Sequence, residues 1–571
     1  MKLIKAKDAF NPFFSRSETY SLNGEWDFAM DHSFDIPASF PQKIIVPFAV
    51  ETERSGIEKI VKKDDVLHYH TLLNYVPGMI EAHVRVHFAA VDQICDVYFN
   101  KKKVVHHEGG YLPFYFDIEE AKEGDEIDLT ITDDSETSIY PKGKQTIHPH
   151  GMFYRPTSGI WGDVYLEILP KTAYVNDFSI FPDFDNQLVR ISNITTSNDE
   201  DPLVQVFYQG RLVGEGKGKN VTISLKDDFH TWSPTDPALY DVLIKTSKEE
   251  VKSYFGVKKF ETKNNGNIKL FYLNNQPIFL NGLLDQGYFS PLSGMTYLSE
   301  ESLEKELHFV KDAGFNFLRK HIKVESYRWY HLCDVLGIIV MQDFVSTNDP
   351  YSSFQLAVLP TLGKTKGKPN ENHFRSLKES QNFFETEMPL FVNHFKNMTC
   401  VCLWCLFNEG WGQFDATRLT SKLRELDKTH KVIDSTSGWF DEGVGDIDSK
   451  HVYFRKPRLQ NKGDRVLFLS EFGGYALPIH GHVFNTKIYG YRKLSSKQEL
   501  LDWYKKTYYE WVLPLIEKEG LCGTVYTQLS DVEGEINGLL TYDREVAKLS
   551  AKELKAINDD VASSFTKKWS H

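Results

Sequence analysis

The sequence predicts a multidomain protein in which two β-sandwiches precede a C-terminal (β/α)8 barrel. A chain of 571 residues is too long for one ordinary domain. Short strand-like segments separated by turn residues fill the chain up to about residue 264. From about residue 266, apolar strands alternate with amphipathic helices instead. We therefore place the predicted domains at residues 1–170, 171–264 and 265–571.

The first two regions read as strands throughout. Residues 1–170 contain alternating segments such as HVRVHF, CDVYF, EIDLTI and DVYLEIL between Gly, Asp, Asn and Lys turns, with no helical pattern longer than two turns. This arrangement is typical of a β-sandwich. Residues 171–264 add about seven short strands, from TAYVNDFSIFPDF to YDVLIKT, which predict an immunoglobulin-like β-sandwich.

The third region alternates between strand and helix. Helical patterns cover residues 301–313, 327–336, 383–395, 415–428 and 497–518, among apolar strands such as FNFLRKH, GIIVMQDF and GTVYTQL. Such alternation over about 300 residues predicts one (β/α)8 barrel. The long loops at 345–375 and 476–497 are rich in Gly, Pro and aromatic residues, and we expect them to wall a pocket.

Charge and hydropathy narrow the set of partners. A formal net charge of −13 argues against a nucleic-acid or anionic-membrane partner. The N-terminus lacks the apolar core of a signal peptide and no apolar run reaches 18 residues, so we expect a cytoplasmic protein without a membrane partner. The 14% aromatic content suits sugar sites as well as sandwiches. A homo-oligomer remains open.

The cysteines do not predict a metal site. Of the six, Cys400 and Cys402 lie on one face of a strand and Cys405 on the other, and no histidine is close in sequence. Buried reduced thiols are therefore expected rather than a zinc cluster. We expect no cofactor and no bound metal.

Two short apolar segments end in carboxylates and carry most of the functional signal. They are CVCLWCLFNEGWG at 400–412, with Glu409, and VLFLSEFGG at 466–474, with Glu471. Each reads as a strand buried on both faces, and barrel enzymes place their chemistry at the carboxyl ends of such strands. Two glutamates in these positions are what a glycosidase needs, one to protonate the leaving oxygen and one to attack the sugar or activate water.

With these segments, the chain resembles glycoside hydrolase family 2, the β-galactosidase, β-glucuronidase and β-mannosidase family. SLNGEWDF, VDQICDVYFN, HEGGYLPFYFDI and TSGIWGDVYLE resemble the family's N-terminal sugar-binding jelly roll, and FGVKKFE the exit from its immunoglobulin-like domain. LNNQPIFLNGLLDQGY and AGFNFLRKH resemble the first two barrel strands, LWCLFNEG the acid/base motif and LFLSEFGG the nucleophile motif.

The resemblance implies a role for each matching residue. Glu409 would be the acid/base, protonated near neutral pH through burial or a negative neighbour, and Glu471 the ionised nucleophile. Asn408 would hydrogen-bond the sugar 2-hydroxyl. Arg319, at the end of FNFLR, could hold the nucleophile ionised. Tyr453 matches the tyrosine that donates to the nucleophile, although strand-end packing explains it equally well.

Further polar residues are candidates for the pocket. They are His451, Asp285, Gln286, Gln342 and Asp343. Ordinary packing or loop capping is the alternative explanation for each of them.

The substrate stays open because the sequence departs from the family pattern. The first strand continues as LLDQGYFSP without a His-Glu, and the last reads VYTQLSDVEGEINGLL without a tryptophan. The Asn-Lys-Gly at 461–463 precedes Glu471 and lacks the intervening residue of the glucuronidase motif, so we interpret it as a turn.

We therefore predict a retaining exo-β-glycosidase of carbohydrate catabolism, β-galactosidase-like or β-glucuronidase-like, with a carbohydrate substrate. The alternatives are a catalytically silent carbohydrate-binding protein with this fold, and a transglycosylase or endo-acting enzyme on a longer glycan.

Overall fold

The computed structural model describes residues 4–5, 9–346, 378–453, 455–485 and 487–569. Antiparallel sheets occupy its N-terminal part and an eight-stranded parallel sheet its C-terminal part, so the predicted fold class is confirmed. The domain limits at 170/171 and 264/265, the jelly-roll topology and the immunoglobulin-like topology remain predictions.

The N-terminal region consists of two antiparallel sheets around one apolar core. Their orders are β1-β2-β13-β6-β10 and β4-β3-β5-β11-β8-β9, and β7 pairs with β12. Alternation builds the core, because Ile127, Leu129 and Ile131 on β11 all face inward. The strands are β1 Ile4–Lys5, β2 Thr19–Ser21, β3 Gly24–Asp31, β4 Gln42–Val46, β5 Val66–Leu72, β6 His83–Phe88, β7 Val91–Asp92, β8 Ile94–Phe99, β9 Lys102–Glu108, β10 Phe114–Ile118, β11 Glu126–Thr132, β12 Gly159–Ile160 and β13 Val164–Leu169. The helical turns of its described residues are short 3₁₀ segments, Glu53–Ser55 and Met79–Glu81.

The second region has a three-stranded sheet, β14-β15-β18, and a four-stranded sheet, β17-β16-β19-β20. A separate apolar core holds them together. The strands are β14 Val175–Asp183, β15 Leu188–Thr196, β16 Leu203–Tyr208, β17 Arg211–Lys217, β18 Val221–Ser224, β19 Tyr240–Lys245 and β20 Glu250–Phe255, with a 3₁₀ turn at Lys226–Asp228. Seven strands agree with the number expected from the sequence.

A small antiparallel sheet joins this region to the barrel. It consists of β21 Phe260–Asn265, β22 Ile268–Leu273 and β23 Gln276–Pro277. The Phe271 ring packs edge-on against Phe468 of the barrel at 5.7 Å, and the Phe271 amide donates to the Cys522 sulfur. Because Cys522 precedes the last barrel strand, this sheet covers the amino-terminal end of the barrel. The carboxyl end remains for the site.

The barrel strands pair in parallel in the order β28-β27-β26-β25-β24-β33-β30-β29. Nearly every residue in them is buried, as expected for strands covered on both faces. The barrel strands are β24 Leu280–Asp285, β25 Phe317–Lys320, β26 Ile339–Asp343, β27 Val401–Cys405, β28 Val432–Asp434, β29 Ile447–Val452, β30 Val466–Gly473 and β33 Gly523–Thr527; β31 Tyr475–Ala476 and β32 Arg492–Lys493 form a small separate pair.

The helices surround this sheet. Ser299 caps α1 through a capping box, and Ser326 caps α2, which ends at the left-handed Gly337. The helices are α1 Glu300–Asp312, α2 Tyr327–Leu336, α3 Lys378–His394, α4 Ala416–Leu426, α5 Lys497–Lys506, α6 Leu513–Glu519 and α7 Ala551–Trp569, with a π-helical turn Thr507–Val512 between α5 and α6. The predicted helix at 497–518 is thus divided, and α7 was not predicted.

The described residues contain no helix that is long and apolar enough to cross a membrane. The predicted pocket loop at 345–375 lies outside the described residues, apart from its first two.

Candidate active site

Glu409 and Glu471 lie together at the carboxyl end of the barrel. Glu409 follows β27 by four residues, and Glu471 lies within β30. Both are buried, with 6% and 5% of the residue exposed. One oxygen of each carboxyl group and one ring nitrogen of His451 lie within 4.8 Å of one another.

The backbone directs Glu409 toward this point. Glu409 has a left-handed conformation with φ of 52°, which is unusual for a residue with a side chain. Its amide donates to the Ser437 carbonyl at 2.9 Å, which fixes the turn that follows β27. Strain of this kind clusters at functional sites because the surrounding structure must hold it.

Arg319 is the centre of the charged network. Its guanidinium donates to Glu471 Oε1 at 3.1 Å, to Asn408 Oδ1 at 2.9 Å, and to both oxygens of Asp343 at 2.9–3.1 Å. Arg319 is completely buried. Asp343 also contacts His321 Nδ1 at 2.8 Å. A buried cation with this many fixed acceptors orients the carboxylate and the amide that flank the site.

Glu471 receives a second donor from Tyr453, the residue that follows β29. The Tyr453 hydroxyl donates to Glu471 Oε2 and lies 3.1 Å from Thr527 Oγ1. The Tyr491 ring stacks on Tyr453 with centroids 3.8 Å apart, so the 476–497 loop reaches the site at this residue. Burial, together with the neighbouring Glu409, raises the pKa of Glu471 above its ordinary value, whereas the charge of Arg319 and the Tyr453 hydroxyl lower it.

Glu409 lies among different neighbours. Its Oε1 is 2.7 Å from His451 Nδ1, and His451 Nε2 is 3.1 Å from Ser437 Oγ. Burial lowers the pKa of His451 to about 3, so the imidazole is neutral near pH 7. Burial also raises the pKa of Glu409 to about 7, although the charges of Lys144 and Arg319 oppose the shift. Glu409 can therefore hold a proton near neutral pH.

A glycine makes room for this histidine. Gly438 has a φ of 82°, and a Cβ placed there would come within 2.4 Å of the His451 ring. Any side chain at residue 438 would displace the imidazole from Glu409.

The structure brings together seven of the residues singled out from the sequence: Arg319, Asp343, Asn408, Glu409, His451, Tyr453 and Glu471. The other three bond elsewhere. Asp285 pairs with Lys320 at 2.6 Å, and Gln286 donates to Gln528 at 2.8 Å. Gln342 donates to the Lys323 carbonyl at 2.8 Å.

The N-terminal region also contributes to the site, which the sequence analysis missed. The loop 133–158 reaches the barrel, where Phe153 stacks on Trp411 at 5.6 Å and the Tyr154 hydroxyl donates to Glu535. Lys144 of the same loop lies near enough to affect the pKa of Glu409. A loop of this length inside a sandwich was an available signal, because most such connections are short.

Possible metal ligands in the described part of the chain are limited to the residues already named. Glu409, His451 and Glu471 form the group there whose donor atoms are close enough to hold an ion. Arg319 and Tyr453 already donate hydrogen bonds to the carboxylate of Glu471, and a bound cation would lie close to the guanidinium. The six cysteines are free and buried.

Comparisons with known proteins relate the barrel region to a glycosidase family. Residues 265–464 match the family model described as the TIM barrel domain of glycosyl hydrolases family 2. A β-galactosidase of Streptococcus thermophilus is 24% identical over 430 residues, or 72% of this chain and 39% of that protein. A β-galactosidase of Thermoanaerobacter pseudethanolicus is 26% identical over 283 residues, or 46% of this chain and 37% of that protein.

The chain spans about two fifths of the length of these curated relatives. Among solved structures, a β-glucuronidase of an uncultured Clostridium sp. has a TM-score of 0.74 at 17% identity, covering 98% of this chain and 100% of that one. At this identity, the likeness shows a shared fold.

Proposed function

Since the chain belongs to glycoside hydrolase family 2, we propose that it is a retaining exo-β-glycosidase of carbohydrate catabolism. Glu471 would be the nucleophile and Glu409 the acid/base of a double displacement. The observation that carries this proposal is the short distance between two buried carboxyl groups with unequal partners.

The distance favours retention over inversion. Retaining enzymes separate their carboxyl groups by about 5–5.5 Å, whereas inverting enzymes leave about 6.5–9.5 Å for a water molecule. Oxygens of Glu409 and Glu471 lie within 4.8 Å. This separation is short of the inverting range, so direct attack by one carboxylate is the better fit.

The partners assign the two roles. Arg319 and Tyr453 each donate to a different oxygen of Glu471. These bonds stabilise the ionised carboxylate, which is the form that a nucleophile needs. Glu409 faces a neutral imidazole and has a pKa raised to about 7 by burial. It can donate its proton to the leaving oxygen and, once ionised, accept a proton from the attacking water.

Asn408 completes the scheme. Arg319 binds the Asn408 carbonyl oxygen, which leaves the amide NH₂ to donate to the sugar 2-hydroxyl. Such a contact strengthens as the sugar becomes oxocarbenium-like, and it supplies part of the rate.

The surroundings of the site support exo action. The loop 133–158 packs on Trp411 and Glu535 on one side, and the loop containing Tyr491 covers Tyr453 on another. Walls on two sides favour a pocket for a terminal sugar over an open groove.

A panel of chromogenic β-glycosides tests the proposal. Galactoside, glucoside, glucuronide, galacturonide, mannoside and arabinoside should be assayed, and NMR should follow the first anomer released from the best substrate. We expect a β-product from a β-substrate. An α-product would overturn the retaining assignment, and no hydrolysis of any member would favour a silent carbohydrate-binding protein.

A further inference from the structure

Lys144 is a buried lysine that has neither an ion pair nor a hydrogen-bond acceptor among the described residues. It belongs to the loop 133–158, and only 5% of the residue is exposed. None of the described residues forms an ion pair with its ammonium group or accepts a hydrogen bond from it. Lysine is almost never buried this far unless it is paired, because removing an ammonium group from water is costly.

The other buried lysines of the described chain show what is missing. Lys320 bonds Asp285 at 2.6 Å, Lys323 bonds Glu325 at 2.6 Å, and Lys548 bonds Asp531 at 2.7 Å. Lys142, two residues before Lys144, donates to the Ser135 carbonyl at 2.6 Å. The fold thus gives these lysines an acceptor, whereas the described part of the chain offers none to Lys144.

Lys144 lies at the wall between the N-terminal region and the barrel. Its Nζ is 5.8 Å from the centre of the Tyr154 ring and 5.7 Å from that of Trp411. Trp411 follows Glu409 by two residues, and Tyr154 bonds Glu535. Burial raises the pKa of Glu409, and Lys144 is the first of the charges that lower it, ahead of Arg319. The ammonium group therefore lies over two aromatic rings and close enough to Glu409 to act on its charge.

We propose that Lys144 binds an anionic group of the substrate, a carboxylate or sulfate on the glycan, next to Glu409. This inference rests on the proposed glycosidase function and adds the substrate class. A sugar hydroxyl could accept one hydrogen bond but would leave the charge uncompensated. A carboxylate or sulfate supplies both the acceptors and the opposite charge.

Two kinds of substrate distinguish where the anion lies. The first is an anionic glycone: p-nitrophenyl β-glucuronide, β-galacturonide and 6-sulfo-β-galactoside, each against its neutral parent. The second is a neutral glycone with a 4-carboxyphenyl aglycone, against the phenyl compound. We expect kcat/KM for one of these anionic sets to exceed that of its neutral parent by about 10- to 100-fold, as for a charged hydrogen bond.

The variants attribute this preference to Lys144. In Lys144→Gln, the anionic-to-neutral ratio should fall by about 10-fold or more while the neutral parent changes by less than about threefold. Lys144→Arg should keep much of the ratio because it keeps the charge. Lys63→Gln, an exposed lysine of the same region, is the matched control and should leave the ratio unchanged. Thermal unfolding verifies that each variant folds.

Calorimetry keeps the inference testable if no glycoside is cleaved. Wild type should bind glucuronate, galacturonate or galactose 6-sulfate more tightly than glucose or galactose, and Lys144→Gln should lose the difference. No hydrolysis with anion-selective binding would remove the glycosidase function alone. The role of Lys144 alone would be overturned if the enzyme hydrolyses glycosides with an anionic-to-neutral ratio near one. The same holds if Lys144→Gln leaves that ratio unchanged.

Discussion

The two glutamates differ less in burial than in what surrounds them. Glu471 belongs to the regular strand β30 and accepts from a guanidinium and a phenol. Glu409 lies in a turn with a strained backbone and faces a neutral imidazole. Both are nearly inaccessible to solvent. Burial alone pushes both toward the neutral form, so the neighbours must decide which one carries the charge.

This difference shows how one barrel face can hold an acid and a base a few ångströms apart. A cation and a hydroxyl stabilise a carboxylate, whereas a neutral ring does not compensate its charge. The strand geometry fixes Glu471 on its donors, and the turn places Glu409 away from them. Reversing the neighbours would reverse the roles.

Removing the carboxylate of Glu471 should have the largest effect. We expect Glu471→Gln to lower kcat/KM by at least about 10⁴-fold for every aglycone, because no covalent intermediate can form. Steady-state assays on a good and a poor leaving group measure this. Glu301→Gln, on an exposed turn of α1, is the control. If the residual rate of Glu471→Gln depends strongly on the leaving group, another residue must be the nucleophile.

Removing Glu409 should be selective. Glu409→Ala should lose about 10³-fold or more on aryl glycosides with poor leaving groups but far less on dinitrophenyl glycosides, which need no protonation. Added azide should restore turnover and give a β-glycosyl azide. In Glu471→Ala, azide should instead attack directly and give the α-azide. An α-azide from Glu409→Ala would exchange the two roles.

The barrel and the position of both glutamates at the ends of its strands could be predicted from the sequence because the signals are local. An apolar run that ends in a carboxylate indicates a buried strand and its carboxyl end, and helix α2 has the predicted bounds. Arg319 was predicted as a partner of the nucleophile, and the structure places it 3.1 Å from Glu471.

What the sequence did not show depends on contacts between distant segments. Lys144 and Tyr154 belong to a sandwich loop, and their relation to Glu409 and Glu535 exists only once the regions pack. Asp285 was a candidate for the pocket, with loop capping as the alternative, and the structure pairs it with Lys320 because the neighbouring strand β25 brings a buried cation to the same level. The pairing of charges between strands cannot be read from spacing along one strand.

The pH dependence should follow Glu409. Its pKa is raised to about 7, so it is protonated below that pH and loses its proton above it. For a poor leaving group, kcat/KM should therefore fall about tenfold per pH unit above the pKa of Glu409, since the acid must be protonated. With a dinitrophenyl aglycone the fall should disappear. An identical alkaline limb with both aglycones would assign it to another group and weaken the contrast between the two glutamates.

Metal removal should have the smallest effect. It is also the most direct test of the contrast between Glu409 and Glu471. One ion bound by Glu409, His451 and Glu471 would give both glutamates the same partner and erase the difference between them. We expect activity to be unchanged after prolonged EDTA treatment and dialysis, because two carboxylates supply both the proton transfer and the nucleophile. Arg319 already provides the positive charge beside Glu471, and a divalent ion would have to overcome its repulsion. Assays on the best substrate, with magnesium or manganese added back, measure this. If EDTA abolishes activity and either ion restores it, a cation takes part in the site, and the roles assigned to the two glutamates must be derived again with that charge included.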